Sequence, residues 1–174
     1  MLVLAACLLA LASPLVVGRW PAGLLLHRWR APLLIWATLA VQVVVVEVRL
    51  PHGLAPVAHV LTYVLALGFL WLNRRLPGAV LVGLGAASNG LTIALNGGVL
   101  PASRWATSAA GIDPHLAFAN SAVVDHPVLP WLGDVFAWPV PLPLANTFSV
   151  GDALVVAGVA VAAWTGARPV RRAA

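Results

Sequence analysis

Five blocks of almost uninterrupted apolar residues, 1–18, 31–49, 54–73, 77–97 and 150–167, divide the chain. A helix needs about 20 such residues, at ~1.5 Å rise each, to cross a ~30 Å hydrocarbon core, so each block predicts a transmembrane span. The first is slightly short and carries Pro14, which predicts a kink. The connections 19–30, 50–53 and 74–76 are short, whereas 98–149 is far longer than an ordinary loop. Within it, apolar stretches such as Val128-Leu-Pro-Trp-Leu132 alternate with Pro-rich turns, which predicts a folded cap packed on the helices. The expected fold class is therefore all-α: a polytopic transmembrane helical bundle of five spans, one membrane domain over 1–174, with 98–149 as a long outer-face cap.

Charge sets an expected orientation. All ten basic residues are Arg, and one set of alternating flanks holds Arg19, Arg28, Arg30, Arg74, Arg75, Arg168, Arg171 and Arg172. The other holds Arg49 and Arg104, so the positive-inside rule predicts a multi-pass protein of the cell membrane with its N-terminus outside and its C-terminus cytoplasmic. Composition agrees: 61% of residues are hydrophobic, 9% are charged and the mean hydropathy is +0.97, against roughly 25% charged in a soluble chain. A net charge of +5 invites a nucleic-acid reading, but the Arg residues stand in short clusters beside apolar runs, so no nucleic-acid partner is expected. Membrane lipids and a membrane protein are the expected partners. The single Cys7 excludes an intrachain disulfide or a cysteine metal site. Leu4-Ala-Ala-Cys7 spells a lipobox, but too few residues precede it to form a signal, so Cys7 reads as a helix residue.

The candidate chemistry collects at one end of the predicted bundle. Asn89 and Asn96 are seven apart on the fourth block and share one helical face, with Thr92 between them. Gly83, Gly85, Ala86, Ala87 and Gly90 would let a neighbouring helix approach closely. Asn96-Gly97-Gly98 closes that block as a helix C-cap, and Ser149-Val-Gly-Asp152 opens the fifth as a capping box. Asp134, framed by Leu132-Gly133 and Val135-Phe136, is either a turn residue or the occupant of a polar pocket. Two carboxylates brought together in a low dielectric could share a proton and activate water, which nominates Asp134 and Asp152 as catalytic residues if the chain is a hydrolase. Asn89, Asn96, Gly97, Gly98, Asn146 and Ser149 are the candidate binding residues. Asp113-Pro-His115 and Asp125-His126-Pro127 have ligand-type side chains, but their spacing matches no metal site and both suit Pro turns, so neither a metal nor a cofactor is expected. Glu47 and His59 flank a tight connection and are expected to pair.

At Asn96-Gly-Gly-Val-Leu-Pro101, Leu132-Gly-Asp134 and Phe148-Ser-Val-Gly-Asp152 the chain resembles a family of small bacterial multi-pass membrane proteins, domain of unknown function 5317, with Leu100 where Met is usual. That resemblance spans nearly the whole chain and implies no activity. A weaker likeness is to lipoprotein signal peptidase, a membrane aspartic peptidase: Phe148-Ser-Val-Gly-Asp152 is similar to its second catalytic element. Asn89-Gly-Leu-Thr92 is similar only in part to the first, so Asp134 would have to supply the other carboxylate. The expected function is binding of a lipid, an envelope precursor or a membrane partner at an extracytoplasmic Asn/Asp site. The alternatives are a membrane aspartic peptidase or hydrolase using Asp134 and Asp152, and a transporter subunit.

Overall fold

A computed structural model describes residues 1–47, 54–113 and 121–170. In chain order these form α1 (Leu2–Ala12), β1 (Arg19–Trp20), α2 (Ala22–Leu25), α3 (Leu33–Glu47), α4 (Leu54–Leu72), α5 (Ala79–Leu95), β2 (Leu100–Pro101), α6 (Arg104–Ala109), β3 (Ser121–Ala122), β4 (Phe136–Trp138), β5 (Asn146–Phe148), α7 (Val150–Trp164) and β6 (Arg168–Pro169). Single 3₁₀ turns occupy Ser13–Val17 and Pro130–Leu132.

The all-α expectation gives way to a mixed α/β fold. Three two-stranded sheets join the helices: β1 with β6 and β4 with β5, both antiparallel, and β2 with β3, parallel. The five-span expectation is also corrected, because no helix among the described residues is long and apolar enough to cross a membrane. Local chemistry shortens the elements below their apolar blocks. The first block breaks at Ser13-Pro14, where the Ser13 hydroxyl bonds back to the Ala10 carbonyl and the chain tightens into a 3₁₀ turn ending at Gly18, φ 68°. The helices α3 and α7 have 15 residues each and α5 has 17. The longest, α4, has 19 and carries His59, Thr62 and Tyr63 inside it. With the spans go the multi-pass cell-membrane placement, the N-out orientation and the outer-face position of the cap.

The long helices pack side by side in the order α3, α4, α5, α7, α1. Glycine sets the closest of these contacts. A methyl group on Gly85 would collide with the Gly151 carbonyl, and one on Gly78 with the Gly158 carbonyl. Gly78 and Gly85 are seven residues apart at the start of and within α5, as are Gly151 and Gly158 on α7, so two antiparallel glycine pairs let the backbones touch. Gly90 meets the Tyr63 ring of α4, whereas Gly83 faces open space. The core is accordingly small, with Ile93, Thr92 and Ser149 among its fully buried side chains. Large apolar side chains such as Leu9, Leu33, Trp36, Val57 and Trp71 remain exposed.

Antiparallel packing gives the α5–α7 pair two different ends. At one, β1 pairs with β6 and the Arg19 guanidinium donates to the Ala167 carbonyl at 2.7 Å. At the same end, the buried Asn73 amide donates to the Arg30 and Phe69 carbonyls and accepts from the Arg30 N–H. At the other end, β2, β3, β4, β5 and α6 form the cap over the C-terminus of α5 and the N-terminus of α7.

Candidate functional site

The C-terminus of α5 ends in a Schellman turn: Gly97 and Gly98 take φ of 69° and 95°, and the Gly98 N–H donates to the Ile93 carbonyl at 2.9 Å. Asn96 then ties the cap to this helix. Its amide donates to the Thr92 carbonyl at 2.7 Å and the Val128 carbonyl at 2.9 Å and accepts from the Val128 N–H at 2.8 Å, so all three bonds go to backbone. The Gly98 carbonyl lies 3.1 Å from His59 Nδ1. The expected partner of His59, the side chain of Glu47, lies outside the described residues, as does His115.

The start of α7 carries the first polar cluster. Ser149 is a complete N-cap: its hydroxyl accepts from the Asp152 N–H at 3.0 Å, and its own N–H donates to Asp152 Oδ2 at 3.0 Å. Asn89 of α5 closes the cluster, donating to Asp152 Oδ1 at 3.0 Å and accepting from the Ser149 hydroxyl at 2.9 Å. The approach is possible because Gly151 lies beside Asn89, where a methyl group would strike the Asn89 Oδ1 atom. Ser149 and Asn89 are buried, and Asp152 is partly exposed.

Asp134 forms the second cluster, inside the cap. Its backbone runs beside the β2 end, donating from N to the Pro101 carbonyl at 2.8 Å and accepting from the Ser103 N–H at 3.0 Å. Its Oδ2 accepts from the Ser121 hydroxyl at 2.7 Å and the Thr147 hydroxyl at 3.1 Å, so one carboxyl joins β3 and β5 to the β2 end. Among the described residues its buried Oδ1 has no hydrogen-bond partner. Burial, reinforced by the Asp152 charge and opposed by the two hydroxyls, pushes the Asp134 carboxyl up to about 6.

The structure thus brings Asn89, Ser149 and Asp152 together and gives Asp134 a separate set of partners. Asn146 stays within the β4–β5 hairpin, where its Oδ1 accepts from the Thr147 N–H. Asp125 pairs at 3.4 Å with Arg104 at the exposed surface, and no cluster of three or more His, Cys, Asp or Glu side chains occurs among the described residues. Ser121 and Thr147 were absent from the candidate residues. They lie 13 positions either side of Asp134, and no spacing rule joins a hydroxyl to a carboxylate across two loops.

Sequence reasoning also missed a cavity of about 590 Å³ between α1, α7 and the β4–β5 hairpin. Leu2, Ala6 and Leu9 line it from α1, Trp138, Leu144 and Phe148 from the hairpin region, and Ala153, Val156 and Ala157 from α7. Asp152 is the one charged residue of that lining, and Asp134 is not part of it. A cavity of this size with mostly apolar walls and one placed polar group has the usual character of a small-molecule site.

A family model, "Family of unknown function (DUF5317)", matches residues 25–164, a range that takes in Asn89, Asp134, Ser149 and Asp152. The chain belongs to this family. An uncharacterized protein of Thermotoga maritima is 36% identical over 108 residues, which is 61% of this chain and 60% of the relative. The match therefore spans less than two thirds of either protein. No solved structure matches the chain. The family carries no assigned activity, and none of these matches extends to lipoprotein signal peptidase.

Proposed function

We propose that the chain is a binding protein for a small amphiphile of the lipid class, holding the apolar part between α1, α7 and the β4–β5 hairpin and the polar end against Asp152. The observation that carries this reading is the cavity itself: about 590 Å³, with apolar walls that include the partly exposed Asp152, which Asn89 and Ser149 hold in one position. Rigidly held polar groups at the end of an apolar cleft fix the orientation of a ligand without doing chemistry on it.

The hydrolase reading needs Asp134 and Asp152 to act on one substrate atom. Asp134, with its raised proton affinity, has the acid/base character such a role requires. Two observations favour binding over it. The carboxylates have separate hydrogen-bond partners, and only Asp152 belongs to the cavity wall.

The test is displacement of a fluorescent alkyl probe from the purified chain, compared with Ala157→Trp. Ala157 is exposed on the cavity side of α7, so the indole fills the cavity without entering the core. Probe affinity is expected to fall about tenfold or more, given the ~1.5–3 kcal/mol that burial of one apolar group is worth. Unchanged affinity in Ala157→Trp would remove the reading, and turnover of ester or peptide substrates lost in both Asp134→Asn and Asp152→Asn would install the hydrolase in its place.

A further inference from the structure

The binding reading leaves the polar end of the ligand open, and Asp152 restricts it. An ionised carboxylate offers about four acceptor positions. Asp152 fills one on each oxygen, from Asn89 Nδ2 and from the Ser149 N–H, and it takes part in no ion pair among the described residues. Its remaining acceptor capacity belongs to a residue on the wall of an apolar cavity, where a charge acts more strongly than in water.

Three kinds of head group meet this site differently. An anionic head would face a like charge beside apolar walls. A neutral hydroxyl could donate one hydrogen bond. An ammonium brings three donors and the opposite charge, completing the carboxylate with charge-assisted bonds. We propose that the cavity selects a single-chain amphiphile with a cationic, N–H-bearing head, which sits on Asp152; this rests on the binding reading above. The net charge of +5 makes the opposite selection, since long-range attraction favours anionic amphiphiles. The sign of the preference therefore distinguishes the site from the surface as a whole.

Decylamine, decanol and decanoate share one chain and differ only in the head. Calorimetric titration of each into the full chain at neutral pH, below micelle-forming concentrations, reads the preference directly. Decylamine is expected to bind about tenfold or more tighter than decanol, with decanoate weakest, as charge-assisted hydrogen bonds imply. In Asp152→Asn the ratio of decylamine to decanol affinity should shrink to about threefold or less. Added salt should weaken decylamine and spare decanol in the unaltered protein, a readout that does not depend on the variant folding.

Decanoate binding as tightly as decylamine, or an amine preference that survives Asp152→Asn or is insensitive to salt, overturns the ammonium assignment and leaves the cavity reading standing. Absence of binding by all three, or binding indifferent to Ala157→Trp, removes the cavity reading and this inference with it.

Discussion

The two ends of the α5–α7 pair share one glycine seam and close in opposite ways. At the Gly78–Gly158 end, a neutral Asn73 amide and the Arg19 guanidinium bond to backbone, and β1 pairs with β6. At the Gly85–Gly151 end, two carboxylates meet side chains from other elements, and acceptor capacity is left over on both: a buried Oδ1 on Asp134 and the partly exposed Asp152, a residue of the cavity wall. Polar groups that all end on backbone hold a fold together. Groups held in position with capacity to spare can also hold a ligand, and this difference puts the candidate site at the acidic end.

The glycine seam common to both ends gives the largest expected effect. Gly151→Ala places a methyl group against Asn89 Oδ1 and the Gly85 carbonyl, and should cost about 3 kcal/mol in chemical denaturation, as overpacking does. Gly83→Ala, with open space around it, should be neutral or stabilising by up to about 1 kcal/mol. Equal effects at the two positions would mean that α5 and α7 do not approach as closely as described.

Acidity separates the ends next. The Asp134 carboxyl titrates near 6 in the fold, against about 3.9 when unfolded, so the fold favours its neutral form. Its contribution is thus fully present below about pH 4 and is lost as pH rises through about 6, an effect on the order of 2–3 kcal/mol. Unfolding curves between these limits should show stability falling with pH, with the slope largely flattened in Asp134→Asn. A slope that persists in the variant assigns the titration to another group.

Removing the neutral amide tests the other end. Asn73→Ala strips partners from the Arg30 backbone and should cost about 1–3 kcal/mol, while leaving binding of an alkyl probe unchanged. Asn89→Ala should weaken that binding, because it frees Asp152 to move. If both variants bind the probe equally well, the functional contrast between the ends is gone. The smallest effect belongs to the caps. Ser149→Ala should cost about 2 kcal/mol and Ser103→Ala about 1, within the range for N-caps. The difference arises because Ser149 also bonds Asn89, whereas Ser103 caps only the short α6.

Short-range chemistry was legible in the residues themselves. Ser149-x-x-Asp152 specifies its capping box within four residues, Asn96-Gly97-Gly98 specifies its left-handed turn, and the long helices lie within the apolar blocks. Hydropathy misled on length and class. It counts apolar residues without registering where Ser13-Pro14 tightens the chain or where Leu95 and Trp164 end their helices. Two-residue strands such as β2 and β3 are too short to carry an alternating pattern at all.

Sequence by itself determined the helix-forming blocks, the caps at the ends of α5 and α7, and the placing of all four Asp residues between 113 and 152, because each depends on residue identity or on neighbours a few residues apart. Tertiary structure alone decided that Asn89 would meet Ser149 and Asp152 across 60 and 63 positions, that Ser121 and Thr147 would share one Asp134 oxygen, and that α1 would wall the cavity reaching Asp152. Those contacts depend on how closely two backbones pack and on which loop end lands beside which helix, and that geometry is shared among distant residues.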